Sequence, residues 1–535
     1  MNYLLSFAIA IVPTAPDTAF LRPLPRLRSG RNVRKRSDEY QVHQSDTLHF
    51  CVAALDAQNG STLVIGGGPT GLATAIMLAM RGYKDITVVE KNPSPDFFQP
   101  DKSFLYQIGG RGQKFTDFAG VTGRLKEVSV PATSDGPLPL TRWFPDGSHK
   151  SISIPSFTSA DKVIPYWVPR PVFLRLLYEH IQEKHSDSVR LMYGNSVGDI
   201  ERAADQVHVS VTDNSSGSVV SYKPRLVIGC DGLKSVVRKT LSSWVQDDQQ
   251  LGAEKENPFA MTEIHSDSGG LRYKILFIPP GFKLDSDTPS VAQQIYVVHS
   301  ALKGRDAARL GLLPVKDPLA PRTANLITLP DHKVWSFQKV EDQIQFLRDS
   351  FPQLMPIMPQ QEIERFAGSK GSCFPYPQYA SAAQYITCNT AFLIIGDSLH
   401  AFPPDLGQGV NSSLEDVMAL KEALDANEDE LTTALPAFES EGVPEAKALI
   451  RLQKISAPYQ YSQYPLRKAL YDLNVLLRIV LNKLAPNIFS PHSAFLVIGS
   501  KLKYSEIVST ANRTTQRIVV SALVIFAVVL FALIK

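Results

Sequence analysis

A chain of 535 residues exceeds what one hydrophobic core usually serves, so two or more structural units are expected. Its 44% hydrophobic and 20% charged residues exclude a disordered chain, and four scattered cysteines exclude a disulfide scaffold. The formal net charge of +3 gives no sign of a nucleic-acid partner, because seven basic residues and no acid between Phe20 and Arg36 supply more than all of it.

At the N-terminus, "YLLSFAIAIV" (Tyr3 to Val12) is too short to span a bilayer but suits the core of a signal peptide. A small-residue site follows at Thr18-Ala19, then Phe20 and the basic stretch. Residues 1–19 therefore read as a signal-peptide-like segment and residues 20–58 as a basic presequence or linker, both outside the fold. The order of signal core, Phe and basic run resembles the two-part plastid presequence of algae with secondary plastids. A secretory signal leading to the ER membrane, or a mitochondrial presequence, fits the same residues.

The next stretch, "STLVIGGGPTGLATAIMLAMRGYKDITVVEK", reads as strand, glycine turn, helix and strand. Gly66, Gly68 and Gly71 supply the G-x-G-x-x-G spacing: the first allows the tight turn, the second lets the backbone approach a pyrophosphate, and the third lets helix and strand close together. The helix N-terminus then faces the phosphates, and Glu90, ending the second strand, can accept from a ribose 2′-hydroxyl. An acid there favours an adenosine ribose without a 2′-phosphate, as in FAD or NAD.

Two further pieces repeat the pattern of an apolar strand ending on an acid. "RLVIGCDGLKSVVRK" leaves its strand through Asp231-Gly232, which alone is a common turn. "IIGDSLHAFPPDLGQGVN" leaves through Gly396-Asp397 and opens a helix near Asn411 after Gly407-Gln408-Gly409. His400, without a nearby His or Cys partner, gives no metal site and reads as a structural histidine bonded to backbone.

From about Glu422 to Ser509 the chain reads as helical. Its stretch "LYDLNVLLRIVLNKL" suits a packing helix or a membrane-surface helix, with Arg478 and Lys483 interrupting the apolar face. Ile518 to Ile534 is apolar except for Ser521, and at about 1.5 Å per residue spans roughly 25 Å. Arg517 and Lys535 flank it where long cationic side chains reach headgroups. A membrane anchor over 516–535 is expected, against a buried core helix.

The three motifs in this order are similar to those of the single-component FAD-dependent monooxygenases, and the resemblance runs from about Ser61 to the end. It implies an α/β fold with a Rossmann-like FAD domain built from 59–140, 166–245 and 387–425. A β-sheet substrate domain (141–165 and 246–386), a helical region (426–515) and the anchor complete it. By the same resemblance Asp231 and Gly232 handle the dinucleotide, and Gly396 and Asp397 hold the ribityl chain. Arg170 opens a helix beside the flavin with Leu174 and Leu177 inward, and Gly409, Val410 and Asn411 complete the cofactor set. Pro404 fixes the chain beside the dioxygen site, and Gly407, Gln408 and Gly409 present backbone N–H groups to the reduced flavin. NAD(P)H visits as co-substrate without a domain of its own, which disfavours the two-dinucleotide oxygenases.

Within the family the chain is most similar to the kynurenine 3-monooxygenase branch, at Ser103, Leu105, Arg111 and Gly112, at Phe351, Pro352 and Pro356, and along the loop through His400, Glu415 and Asp416. The implied reaction inserts one oxygen atom of O2 into an aromatic or other electron-rich small molecule through a flavin C4a-hydroperoxide. Arg142 falls where the branch grips a substrate carboxylate. Ser156, Asp405 and Leu406 stand where it has aromatic residues, and its C-terminal pocket Tyr falls near Ile455, with Tyr459 and Tyr461 close by. An isoprenoid or carotenoid substrate, a flavin-dependent reductase of the geranylgeranyl type, and a non-catalytic flavoprotein remain as alternatives.

Overall fold

A computed structural model of the chain describes residues 60–100, 105–132, 138–154, 163–248, 256–461 and 464–534. The signal-like and basic segments, Ser103 and Ser156 lie outside the described residues.

A six-stranded sheet carries the glycine motif at its centre. Its spatial order is Gln384–Thr387, Thr390–Ile394, Leu226–Gly229, Thr62–Ile65, Ile86–Glu90 and Val189–Tyr193. All neighbours pair in parallel except Gln384–Thr387 with Thr390–Ile394. Thr62–Ile65, Leu226–Gly229 and Thr390–Ile394 are buried along their whole length, as parallel strands covered on both faces must be. They come from three distant stretches of chain, so the expected α/β architecture assembled from separated segments is present. The helices Pro69–Met80, Arg170–Lys184 and Gly409–Ala426 supply much of the covering apolar surface.

A second sheet of seven strands runs Ser372–Cys373, Arg272–Ile278, Arg322–Thr328, Arg309–Leu312, Ile295–His299, Leu138–Trp143, His149–Ile154. Alternation along its strands separates two faces. Trp143, Tyr296, Val298, Leu310, Leu326 and Leu276 pack with Phe346, Leu347 and Phe366 of the helices Val340–Ser350 and Gln360–Gly368. The opposite face carries Leu140, Val297, Tyr273 and Ile275. Two expected divisions fall within strands: residue 140 inside Leu138–Trp143, and residue 387 at the end of Gln384–Thr387, which pairs into the parallel sheet.

The C-terminal region is helical: Leu431–Ser456, Pro465–Leu484, Ser493–Gly499 and Tyr504–Ile534. The expected anchor is the outer part of a longer helix. Tyr504, Ile507, Val508, Ala511 and Thr514 are buried against the body, whereas the apolar residues from Val519 onward are exposed. By length and composition this helix can cross a membrane.

Candidate active site

The three motif loops leave the same edge of the parallel sheet, the carboxyl ends of its strands, where open α/β sheets bind ligands. Gly66 sits at φ 107°, and a side chain on it would come within 2.4 Å of the Cys230 carbonyl oxygen. A Cβ on Gly71 would lie 1.8 Å from the Gly66 carbonyl oxygen, so helix and loop touch there. Gly68 differs. It precedes the helix Pro69–Met80 without any side-chain cap, and nothing lies within 4 Å of where its Cβ would be. That open space before a helix N-terminus fits a pyrophosphate, and it is the observation on which FAD fits this chain.

Glu90 is held at the rim. One carboxylate oxygen accepts from the Gly67 N–H at 2.8 Å and the other from the Asn92 N–H at 2.8 Å. Each oxygen retains a lone pair for a further donor.

The second and third loops are joined through Ser398. The Gly232 N–H donates to its Oγ at 3.0 Å, that hydroxyl donates to Asp231 at 3.2 Å, and Arg238 donates to its carbonyl at 2.7 Å. The other Asp231 oxygen accepts from the Val236 N–H at 2.6 Å, capping the helix Val236–Asp248. Gly396, at φ 63°, turns the chain so that Asp397 is exposed while Gly396 and Ser398 are buried. Asp397 thus faces an open cleft walled by protein. Those walls raise its pKa, with Asp416 adding and His400 and Arg170 opposing. Tyr106, which the sequence did not single out, lies within electrostatic reach of both Arg170 and Asp397; burial raises its phenol pKa.

Gly407, at φ 61°, ends the short turn Pro404–Leu406 and leads into the helix Gly409–Ala426. Asn411 pins this helix start. Its Oδ1 accepts from the Gly109 N–H at 2.8 Å, and its Nδ2 donates to the carbonyls of Gln107 at 2.7 Å and Gly407 at 2.9 Å. With its amide so engaged, Asn411 positions the loop, and Val410 beside it is buried. The Gln408 side chain turns away from the cleft: it donates to the Leu406 carbonyl at 3.1 Å and accepts from the Tyr504 hydroxyl at 3.2 Å. What Gln408 can offer the cleft is its backbone.

His400 takes a side-chain partner besides the expected backbone bond. Its Nε2 meets Asp416 Oδ2 at 2.9 Å, and the same oxygen accepts from the Gly396 N–H at 2.8 Å. Burial alone would lower the imidazole pKa, but the Asp416 charge and hydrogen bond outweigh it and the net direction is up.

Arg142 lies in the other sheet, beside Val297 and Lys150. Among the described residues it makes no hydrogen bond or ion pair. It does act on His299, whose pKa is lowered to about 4 by burial and by Arg142 and Arg309, leaving a neutral ring stacked on Phe144 at 5.0 Å.

Asp405 and Leu406 change meaning most. Leu406 packs with Leu449, Leu452, Val497 and Ile507 of the C-terminal helices and lines no cleft. Asp405 is fully buried and accepts from the Ser268 hydroxyl. Burial pushes its pKa up to about 7, against the pull of Ser268 and Tyr461. The only sequence signal was an acid placed between Pro404 and Leu406 in an otherwise apolar loop.

The family model described as "FAD binding domain" matches residues 60–272 and 380–452, just over half of the chain. The chain belongs to that family. Curated relatives of this flavoprotein include the kynurenine 3-monooxygenases of Salinispora arenicola and Anopheles gambiae. The first is 24% identical over 466 residues, covering 84% of this chain and 90% of that protein. The second is 23% identical over 468 residues, covering 85% and 84%. Among solved structures, 2-methyl-3-hydroxypyridine-5-carboxylic acid oxygenase superposes with TM-score 0.52 at 17% identity, covering 76% of this chain and 92% of that one. Tetracycline destructase Tet(51) superposes with TM-score 0.51 at 15% identity, covering 83% and 98%. At those identities the likeness is one of fold. Family and relatives together make the chain an FAD-dependent monooxygenase.

Proposed function

We propose that this flavoprotein uses NAD(P)H and O2 to insert one oxygen atom into an aromatic or other electron-rich small molecule, as its kynurenine 3-monooxygenase relatives are named for doing. The observation that supports it most is the convergence of the open space at Gly68, Glu90, Asp397 and the start of the helix Gly409–Ala426 on one sheet edge. Bound FAD would supply the electron transfer and oxygen activation that no side chain here can provide.

The chain's own residues bind, orient and exclude water. The N–H groups around Gly68 meet the pyrophosphate, Glu90 accepts from the adenosine ribose, and Asp397 accepts from the ribityl hydroxyls. Arg170 and Tyr106 flank that chain, Gly396 turns the backbone at Asp397, and Ser398 with Asp231 and Gly232 keeps the two acid loops in register. The Gly407 N–H closes the turn onto the Pro404 carbonyl at 3.1 Å, so the backbone N–H groups of Gln408 and Gly409, at a helix N-terminus, stabilise negative charge on the reduced ring edge. Pro404 shapes the oxygen side, and Arg142 receives a substrate carboxylate. Working divisions follow the strands, with the FAD unit at 59–137, 166–245 and 384–425 and the substrate sheet between. The exposed apolar end of Tyr504–Ile534 anchors the protein in an organellar membrane.

A second reading, a lipophilic isoprenoid or carotenoid substrate, draws on the same membrane helix. One experiment separates the readings: NAD(P)H reduction of the bound flavin, timed with and without kynurenine, other aromatics and carotenoids. Acceleration by kynurenine supports the first and by a carotenoid the second. A flavin that no NAD(P)H reduces, with any of them, contradicts both.

A further inference from the structure

The helix Pro465–Leu484 has only Tyr471 and Val475 fully buried. Its outer side carries Leu466, Leu470, Leu473, Leu477, Val480 and Leu484, exposed by 44% to 78%. Steps of four and three residues place all six within roughly 40° of one line along a helix about 30 Å long, and Leu476 widens the strip. A strip this continuous on a folded surface marks an interaction site.

The charges that seemed to interrupt it do not. Arg478 turns off the strip: its Nε donates to Asn474 Oδ1 at 2.6 Å and its Nη2 to Thr515 Oγ1 at 2.8 Å. Lys468 is tied to Asp472 at 2.8 Å on the side of the helix away from the leucines. Arg467 and Lys483 flank the strip, where cations suit a lipid headgroup layer.

The root of the strip identifies its partner. Arg478 meets Thr515, the Ser490 hydroxyl meets the Thr514 hydroxyl at 2.7 Å, and Arg517 donates to the Ile488 carbonyl. All three contacts reach the terminal helix between Thr514 and Arg517, just before it becomes apolar and exposed on every side at Val519. The leucine strip therefore starts at the foot of the membrane-crossing segment.

We propose that the helix Pro465–Leu484 lies in the membrane surface with its leucine strip among the acyl chains, a second membrane contact that rests on reading Val519–Ile534 as a span. The occupant is the bilayer. A second copy would also match four-and-three spacing, but the helix and the segment after it are tied through Arg478, Ile488 and Ser490 to the foot of the apolar terminal segment, which favours the bilayer. The contact also has a consequence for the site. At its other end the helix places Arg467 at 3.7 Å from Asp267, the neighbour of the Ser268 that holds Asp405. The start of the surface helix therefore lies beside the segment that encloses the buried carboxyl.

The test uses the full chain, with Cys51, Cys373 and Cys388 replaced by Ser so that the buried Cys230 is the native thiol left, in phosphatidylcholine vesicles containing nitroxide lipids. One fluorophore is attached at a time, through Leu477→Cys, Val528→Cys or Val219→Cys, the last on an exposed strand far along the chain. Quenching at Leu477 comparable to that at Val528, with none at Val219, is the expected result. Quenching at Val528 alone overturns the surface helix and leaves the anchor standing, and cross-linking of two chains through Leu477→Cys would then assign the strip to a second copy. Quenching at neither overturns the anchor and the surface helix together.

Discussion

The Ser268 hydroxyl donates to Asp405 across 137 residues of sequence, and both side chains are fully enclosed. The pair places a carboxyl whose pKa burial raises to about 7 in the loop that leads into the helix Gly409–Ala426.

Asp405 gives the protein a definite pH dependence. The ordinary carboxyl value is 3.8, and the folded one is about 7. The folded state holds the proton more tightly, so stability is full below pH ~4, declines as pH rises toward about 7, and stays low above it. A difference of that size is worth about 4 kcal/mol. Thermal unfolding of Asp405→Asn and the parent across this range checks it. The variant should match the parent near pH 4 and exceed it near pH 8; parallel curves would show that Asp405 is ionised throughout.

Gly68 and Gly71 separate binding from folding. Gly68→Ala adds a methyl group into open space, so the chain should fold with unchanged circular dichroism while FAD affinity drops about tenfold or more, near 1.4 kcal/mol. Gly71→Ala forces a methyl group against the Gly66 carbonyl and should cost at least about 3 kcal/mol of stability. Flavin content per chain and urea unfolding read the two apart.

Removing Arg142 should act on substrate binding alone. With a carboxylate substrate, Arg142→Ala should raise KM about 10- to 100-fold, the worth of a charge-assisted hydrogen bond, and leave kcat nearly unchanged. The amide analogue of that substrate should show no difference between variant and parent. Equal losses on both would make Arg142 a structural residue.

The His400–Asp416 pair supports the third loop. Asp416→Asn weakens both the His400 contact and the Gly396 N–H bond, and should destabilise by about 3 kcal/mol. The pair's contribution runs with His400 protonation: it is full below the ordinary imidazole pKa and lost as pH rises through the raised folded value. Urea unfolding on either side of that range tests the direction.

The glycine motif was legible because its constraints are local. Gly71 meets Gly66 and Glu90 meets Gly67, partners that a strand, a turn and a helix dictate, although Gly66 itself is also hemmed in by the distant Cys230 carbonyl. Asp405 was not, because what makes it unusual is enclosure by Ser268 and Tyr461 from distant segments. Gln408 misled for a similar reason: its spacing belongs to the loop, but its side chain is claimed by Tyr504, nearly a hundred residues onward. Arg478 read as a break in an apolar face because periodicity does not reveal which face a protein buries. The terminal helix began earlier than its apolar composition because Tyr504 to Thr514 hold it through packing.

The most direct test follows the oxygen. The purified chain, with FAD, NADPH or NADH, and oxygen-18 gas, is given a panel of aromatic and isoprenoid compounds starting with kynurenine, and products are weighed by mass spectrometry. One labelled oxygen atom in the product, formed with matching consumption of NAD(P)H, is the predicted result. A product that is hydrogenated or unlabelled while NAD(P)H is consumed would contradict it and make the protein a reductase.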